Sequence, residues 1–120
     1  MMDSQFPSIT SILINMESNI VCSNINRVKI LYLLKNSPRN ELQVEKMAYI
    51  LGLSHRTILY HLDFLADYDL VEVRKFRRRG KRFMRSVWGL NRSNAHLYRI
   101  FSDIEKRFNI DQLRQVMSGS

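Results

Sequence analysis

Eight of the twelve side chains from Arg74 to Arg85 are basic and none is acidic. Six of the eight are arginines, whose planar forks suit phosphate oxygens and narrow nucleic-acid grooves. A second set stands just upstream: Ser54, His55, Arg56, Thr57, Tyr60 and His61. Hydroxyls, a guanidinium and imidazoles gathered this closely are groups that hydrogen-bond base edges and phosphates. His55, His61 and Asp63 also invite an acid–base reading. They share one helical stretch with no glycine-rich phosphate loop or nucleophile elbow, so no catalytic residue and no enzyme is expected.

The chain carries 19 Lys and Arg against 11 Asp and Glu, a net charge of +8. Outside the basic window, 11 basic residues face 11 acidic ones, so the whole excess belongs to twelve positions. A solvated edge strand that discourages aggregation needs one or two lysines. Eight like charges repel each other and destabilise the fold unless an anion relieves them. The expected partner is therefore a polyanion, double-stranded DNA above all.

One domain is expected over residues 1–120, because 45% of the residues are apolar and only six are glycine or proline. Cys22 is the only cysteine, which excludes a disulfide scaffold and a cysteine-based zinc finger and points to the cytoplasm. It is expected to be a small, buried residue, with redox sensing as the alternative. No signal peptide or membrane span fits the apolar runs. Neither a cofactor nor a metal is expected. The closing Ser118-Gly119-Ser120 is set aside.

These candidate residues must be held by a scaffold, and the apolar spacing describes one. Ile9, Ile12, Leu13, Met16 and Ile20 fall at relative positions 0, 3, 4, 7 and 11, the stripe of an amphipathic helix from Phe6 to about Val21. Ser23, Asn24 and Asn26 offer caps for a second helix that stops at Asn36-Ser37-Pro38. Asn40 followed by Gln43 resembles a capping box for a third, Glu41 to Leu51, ended by Gly52. Ser54 caps a fourth that runs to about Asp67. Two helices joined by so short a glycine turn cross steeply, as in a helix-turn-helix.

After Asp69 the period drops to two. Val71 and Val73 alternate with Glu72 and Arg74, and Met84, Ser86, Trp88 and Leu90 alternate with Arg85, Val87 and Gly89. The pattern predicts a β-hairpin with the basic window at its tip, turning near Gly80. Leu97, Ile100, Phe101, Ile104 and Phe108 repeat the 0, 3, 4, 7, 11 stripe from Asn94 onward, and Ile110, Leu113 and Met117 either continue that helix or restart it.

On a wheel, Ile58, Leu62, Leu65 and Ala66 share the inner face of the fourth helix, with Arg56, Tyr60 and Asp63 opposite. His61 lies at the edge, placed either to orient the helix by packing or to touch DNA. Phe64 is expected against the hairpin. The stripes of the two terminal helices, Ile9, Ile12, Leu13 and Met16 with Leu97, Ile100, Phe101, Ile104 and Phe108, exceed what the middle of the chain can cover. A homodimer built on them is expected. The alternative is that the two helices pack on one another and on their own domain.

Three stretches carry a family resemblance: Asn26-Arg-Val-Lys-Ile-Leu-Tyr-Leu-Leu34, Leu51-Gly-Leu-Ser-His-Arg-Thr-Ile-Leu-Tyr-His-Leu-Asp-Phe-Leu65, and Leu70-Val-Glu-Val with Trp88-Gly-Leu90. Over about Asn24 to Asn91 the chain resembles ArsR-type winged helix-turn-helix transcriptional regulators of bacteria and archaea. The resemblance implies an α+β, mostly α fold with the winged core at 24–91, and the apolar stripes add an N-terminal helix at 6–22 and a C-terminal dimerisation helix at 93–117. It implies a major-groove recognition helix at 54–67, a wing at 74–85 and a dimer on a near-palindromic site. It also implies a phosphate contact for Arg27.

Metal-sensing members carry Glu-Leu-Cys-Val-Cys where this chain has Glu41-Leu42-Gln43-Val44-Glu45. The second family site, on the last helix, would need paired ligands, and only His96, Asp103 and Glu105 are there. The expected activity is therefore sequence-specific regulation of transcription without a metal. Ser54, His55, Arg56, Thr57, Tyr60 and His61 would read DNA, and Lys75, Arg77, Arg78, Arg79, Lys81 and Arg82 would hold its backbone or minor groove. The alternatives are a winged-helix adaptor for protein partners and a sequence-independent architectural nucleic-acid-binding protein.

Overall fold

The computed structural model describes residues 9–77 and 84–117. Helix α1, Ile9–Cys22, leads through one bend into α2, Ile25–Lys35. Asn24 caps α2, its side-chain oxygen accepting from the Asn26 N–H at 2.9 Å. Six of the eleven α2 residues are buried, Val28 and Ile30 to Leu34. A helix this apolar on all sides belongs at the centre, and the others pack around it.

The expected capping box is absent. Asn40 adopts a positive φ of 56°, and its side-chain amide donates to the Lys35 and Leu34 carbonyls at the end of α2. Glu41–Leu42 forms a short strand, β1, so α3 begins later, at Val44, and runs to Leu51. Strand pairing supplies backbone partners that a longer helix would have supplied from within. Gly52 then closes α3 with a φ of 66°, a conformation in which any L side chain would be strained although space for one exists. Helix α4, His55–Asp67, starts on Ser54, whose hydroxyl oxygen accepts from the Thr57 N–H at 3.1 Å. Asp69 carries the reversal out of α4 at φ 59°, and its carbonyl accepts from the amides of both Asn91 and Asn94.

Strands β2, Val71–Arg77, and β3, Met84–Leu90, pair antiparallel from Val71↔Leu90 to Arg77↔Met84, and β1 adds to the far edge of β3. The hairpin is the one the alternation predicts, and β1 is an addition to it. Its base holds the first arginine of the basic window. Arg74 donates to Glu41 Oε1 at 2.8 Å, to Glu72 Oε1 at 3.3 Å, and to the Arg39 and Leu90 carbonyls. Its guanidinium lies across Gly89, where an added Cβ would stand 2.6 Å from Arg74 Cζ. Arg74→Ala should therefore cost about 1–3 kcal/mol, because the half-buried Glu41 carboxylate loses its cation. Urea denaturation checks this, and a midpoint equal to that of the wild type would contradict it.

The C-terminal stripe is split into α5, Leu97–Arg107, and α6, Ile110–Met117, with Asn109 Oδ1 accepting from the Asp111 N–H at the restart. Helix α5 starts three residues later than Asn94 suggests. Leu97, Ile100, Phe101 and Ile104 are buried within the single chain, and Phe108 is half-buried against the same core. For Leu97, Ile100, Phe101 and Ile104 the expectation of a subunit interface is thus corrected: they are buried in the core of the same chain, where α1 packs on α5 and Tyr32 of α2 meets Phe101. Ser18 on α1 donates to Asp103 on α5 at 2.7 Å, and Phe101 meets the Tyr32 ring edge to face at 5.6 Å. On α1 the inward residues are Ser18 and Val21, while Met16 is 53% exposed. The side chains of Ile9, Ile12 and Leu13 lie outside the described residues.

Candidate nucleic-acid interface

The amino-terminal half of α4 presents a mixed polar surface. Ser54, His55 and Arg56 are exposed, Tyr60 is 61% exposed, and Thr57 is half-buried with its hydroxyl bonded to that of Ser54 at 2.8 Å. The cap holds the first turn open, and the positive end of the helix dipole adds to the Arg56 charge there. Behind this surface Ile58, Leu62 and Leu65 are fully buried. The helix is anchored by one face and offers the other.

His61 does not join the exposed set. It is 4% exposed, and its Nδ1 is buried without a hydrogen-bond partner among the described residues. Its position three residues after Ile58 turns it to the inner face, so the packing alternative holds and the base-contact reading is corrected. Burial pushes its pKa down from the usual 6.5, and the Arg27 charge adds to the effect. As pH falls below about 6.5 the unfolded chain takes up this proton before the folded chain does, so stability declines through the folded pKa and levels off beneath it. His61→Gln should lose less stability than the wild type between about pH 7.5 and about pH 5.5 in urea unfolding. Equal losses would contradict the burial.

Arg27 is also engaged internally. Its Nη1 donates to the Ile20 carbonyl at 2.9 Å, and its guanidinium carbon sits 3.6 Å from the centre of the Phe64 ring. Phe64 packs under Arg27 and beside Tyr68. Sequence reasoning did not pair Arg27 with Phe64, since they lie on different helices with no local spacing between them. Tyr49, 84% exposed on α3, was likewise not singled out, although its place opposite Met47 on the wheel was a signal.

Of the wing residues, Lys75 and Arg77 lie on β2, while Arg78, Arg79, Lys81 and Arg82 fall outside the described residues. Seven paired positions carry the strand about 20 Å from the base of the sheet. Arg74 is engaged at that base, and the window holds seven further basic residues. Among the described residues no three His, Cys, Asp or Glu side chains form a group that could hold a metal, and no helix is long and apolar enough to cross a membrane.

Residues 24–73 match the family model described as bacterial regulatory protein, arsR family. No curated protein matches the chain. The matched stretch runs from the cap of α2 through α4 into β2, and the crossing of α3 and α4 at Gly52 lies inside it. Residues 24–73 thus carry a helix-turn-helix similar to that of the arsR family of bacterial regulatory proteins, and this domain supports a DNA-binding transcription regulator.

Proposed function

We propose that the protein binds double-stranded DNA sequence-specifically as a homodimer, with the amino-terminal half of α4 in the major groove and the hairpin on the backbone or in the adjacent minor groove. The observation that carries this reading is the exposure of Arg56 and Tyr60 on a capped, firmly anchored helix, followed directly by a hairpin that holds the net charge of the chain. Arg56 supplies a fork for guanine edges, and Tyr60 a ring and hydroxyl for the neighbouring base or phosphate. Lys75, Arg77, Arg78, Arg79, Lys81 and Arg82 supply sequence-independent affinity. Selection of bound duplexes from random DNA tests the specific part. A recurring motif with two related half-sites is expected, and recovery of unrelated sequences would refute it.

The dimer surface in this reading is the outer stripe of α1. Met16 is exposed there, Ile9, Ile12 and Leu13 share its stripe in the sequence, and Tyr98 on α5 is 82% exposed. With Leu97, Ile100, Phe101 and Ile104 committed to the core, α5 contributes through its outer side. Sedimentation equilibrium at micromolar concentration should give a dimer, and a clean monomer would remove this part of the proposal.

A further inference from the structure

The contacts of Arg27 reach three helices at once. It belongs to α2, it donates to a carbonyl in the last turn of α1, and its guanidinium carbon sits over an aromatic ring of α4. Each contact suits a half-buried guanidinium. The C-terminal turn of a helix is its negative end, and the face of a phenyl ring attracts a cation most strongly where water is excluded. The Arg27 Nε is itself buried, and like His61 Nδ1 it lacks a hydrogen-bond partner among the described residues. The Nε–H is closed to solvent and to any phosphate. Only an arginine offers both the plane that stacks and the fork that reaches Ile20; a lysine in its place would keep the charge and lose both.

We propose that Arg27 is a positioning residue for DNA reading, a tie that fixes the recognition helix α4 against the carboxyl end of α1 through Phe64 and the Ile20 carbonyl, and not a phosphate contact. This role rests on α4 being the DNA-reading helix. It follows that Arg27 governs discrimination between sequences more than affinity for DNA in general. It also follows that a shift of α1 in the dimer is felt at the base-reading surface. A tilt of α4 moves Arg56 and Tyr60 relative to base edges, whereas the hairpin can still meet phosphates in many poses.

The test uses the full chain with Arg27→Lys, Arg27→Gln, Phe64→Leu and the Arg27→Lys/Phe64→Leu double variant, each checked for a cooperative melt. The probes are a duplex recovered by selection from random DNA and a scrambled duplex of the same length, titrated over a range of salt. Arg27→Lys and Phe64→Leu should each weaken the selected duplex about tenfold while leaving the scrambled duplex and the salt slope unchanged. The double variant should be no worse than either single, because both break one contact. If Arg27→Lys matches the wild type while Arg27→Gln weakens both duplexes and makes the slope shallower by about one per protomer, Arg27 is a phosphate contact and the proposal fails. Additive losses in the double variant would also overturn it.

A second readout needs no DNA. The imidazole titration of His61, followed by NMR, should move to higher pH in Arg27→Gln, because the cation beside it is gone. An unmoved titration would mean that the junction does not exist. A wild type that fails to discriminate between the duplexes, with the His61 shift still present, would overturn the DNA-reading role of α4 and with it this use of the tie.

Discussion

Replacing Arg77, Arg78 and Arg79 by alanine should weaken the binding of every duplex alike and flatten its dependence on salt. Each phosphate neutralised by an arginine releases condensed counterions, and that release makes log K fall with log salt by about 0.9 per contact. Arg74 is bonded to Glu41 and Glu72, and the window holds seven further basic residues in each copy. If about half of them in a dimer meet phosphate, the slope is about −6. The triple substitution removes about three of those contacts. The slope should then shrink by about 3 and affinity should drop by about a hundredfold near 0.15 M salt. The same charges placed to repel neighbouring edges would change neither quantity. An unchanged affinity and slope would therefore remove the wing from the interface.

Arg56→Ala and Tyr60→Ala should act in the opposite sense. Each removes a group that reads a base edge, so the preference for a selected duplex over a scrambled one should fall by about 10- to 100-fold, with little change in binding to the scrambled one. Both side chains are exposed on the outer face of α4, so neither loss should lower the melting temperature appreciably. A parallel loss on both duplexes would place these residues on the phosphate backbone instead. His61 should not follow this pattern, because its ring is buried and its replacement acts through stability.

What the sequence made legible follows from how local the signal is. Ser54, Gly52 and the alternating residues after Asp69 encode their own conformations, and α4 and the hairpin stand where their spacing puts them. Strand β1 could not be read, since Glu41 and Leu42 become a strand only through Gly89 and Trp88, far along the chain. Locally, Asn40 and Gln43 imitate a helix start. Arg74 looks like every other arginine of its window until the register sets it over Gly89 and beside Glu41. The α5 stripe shows that a face must be covered without saying by what, and the cover proves to be the same chain. Arg27 and Phe64 meet only once α2 and α4 have packed.

The central claim, that the charge of the hairpin serves a helix that reads sequence, is tested most directly by one ratio. It is the affinity of the full chain for a duplex selected from random DNA divided by its affinity for a scrambled duplex, both measured at the same salt near 0.15 M. The expected ratio is about a thousand or more. A ratio close to one, with tight and salt-sensitive binding to both duplexes, would contradict it.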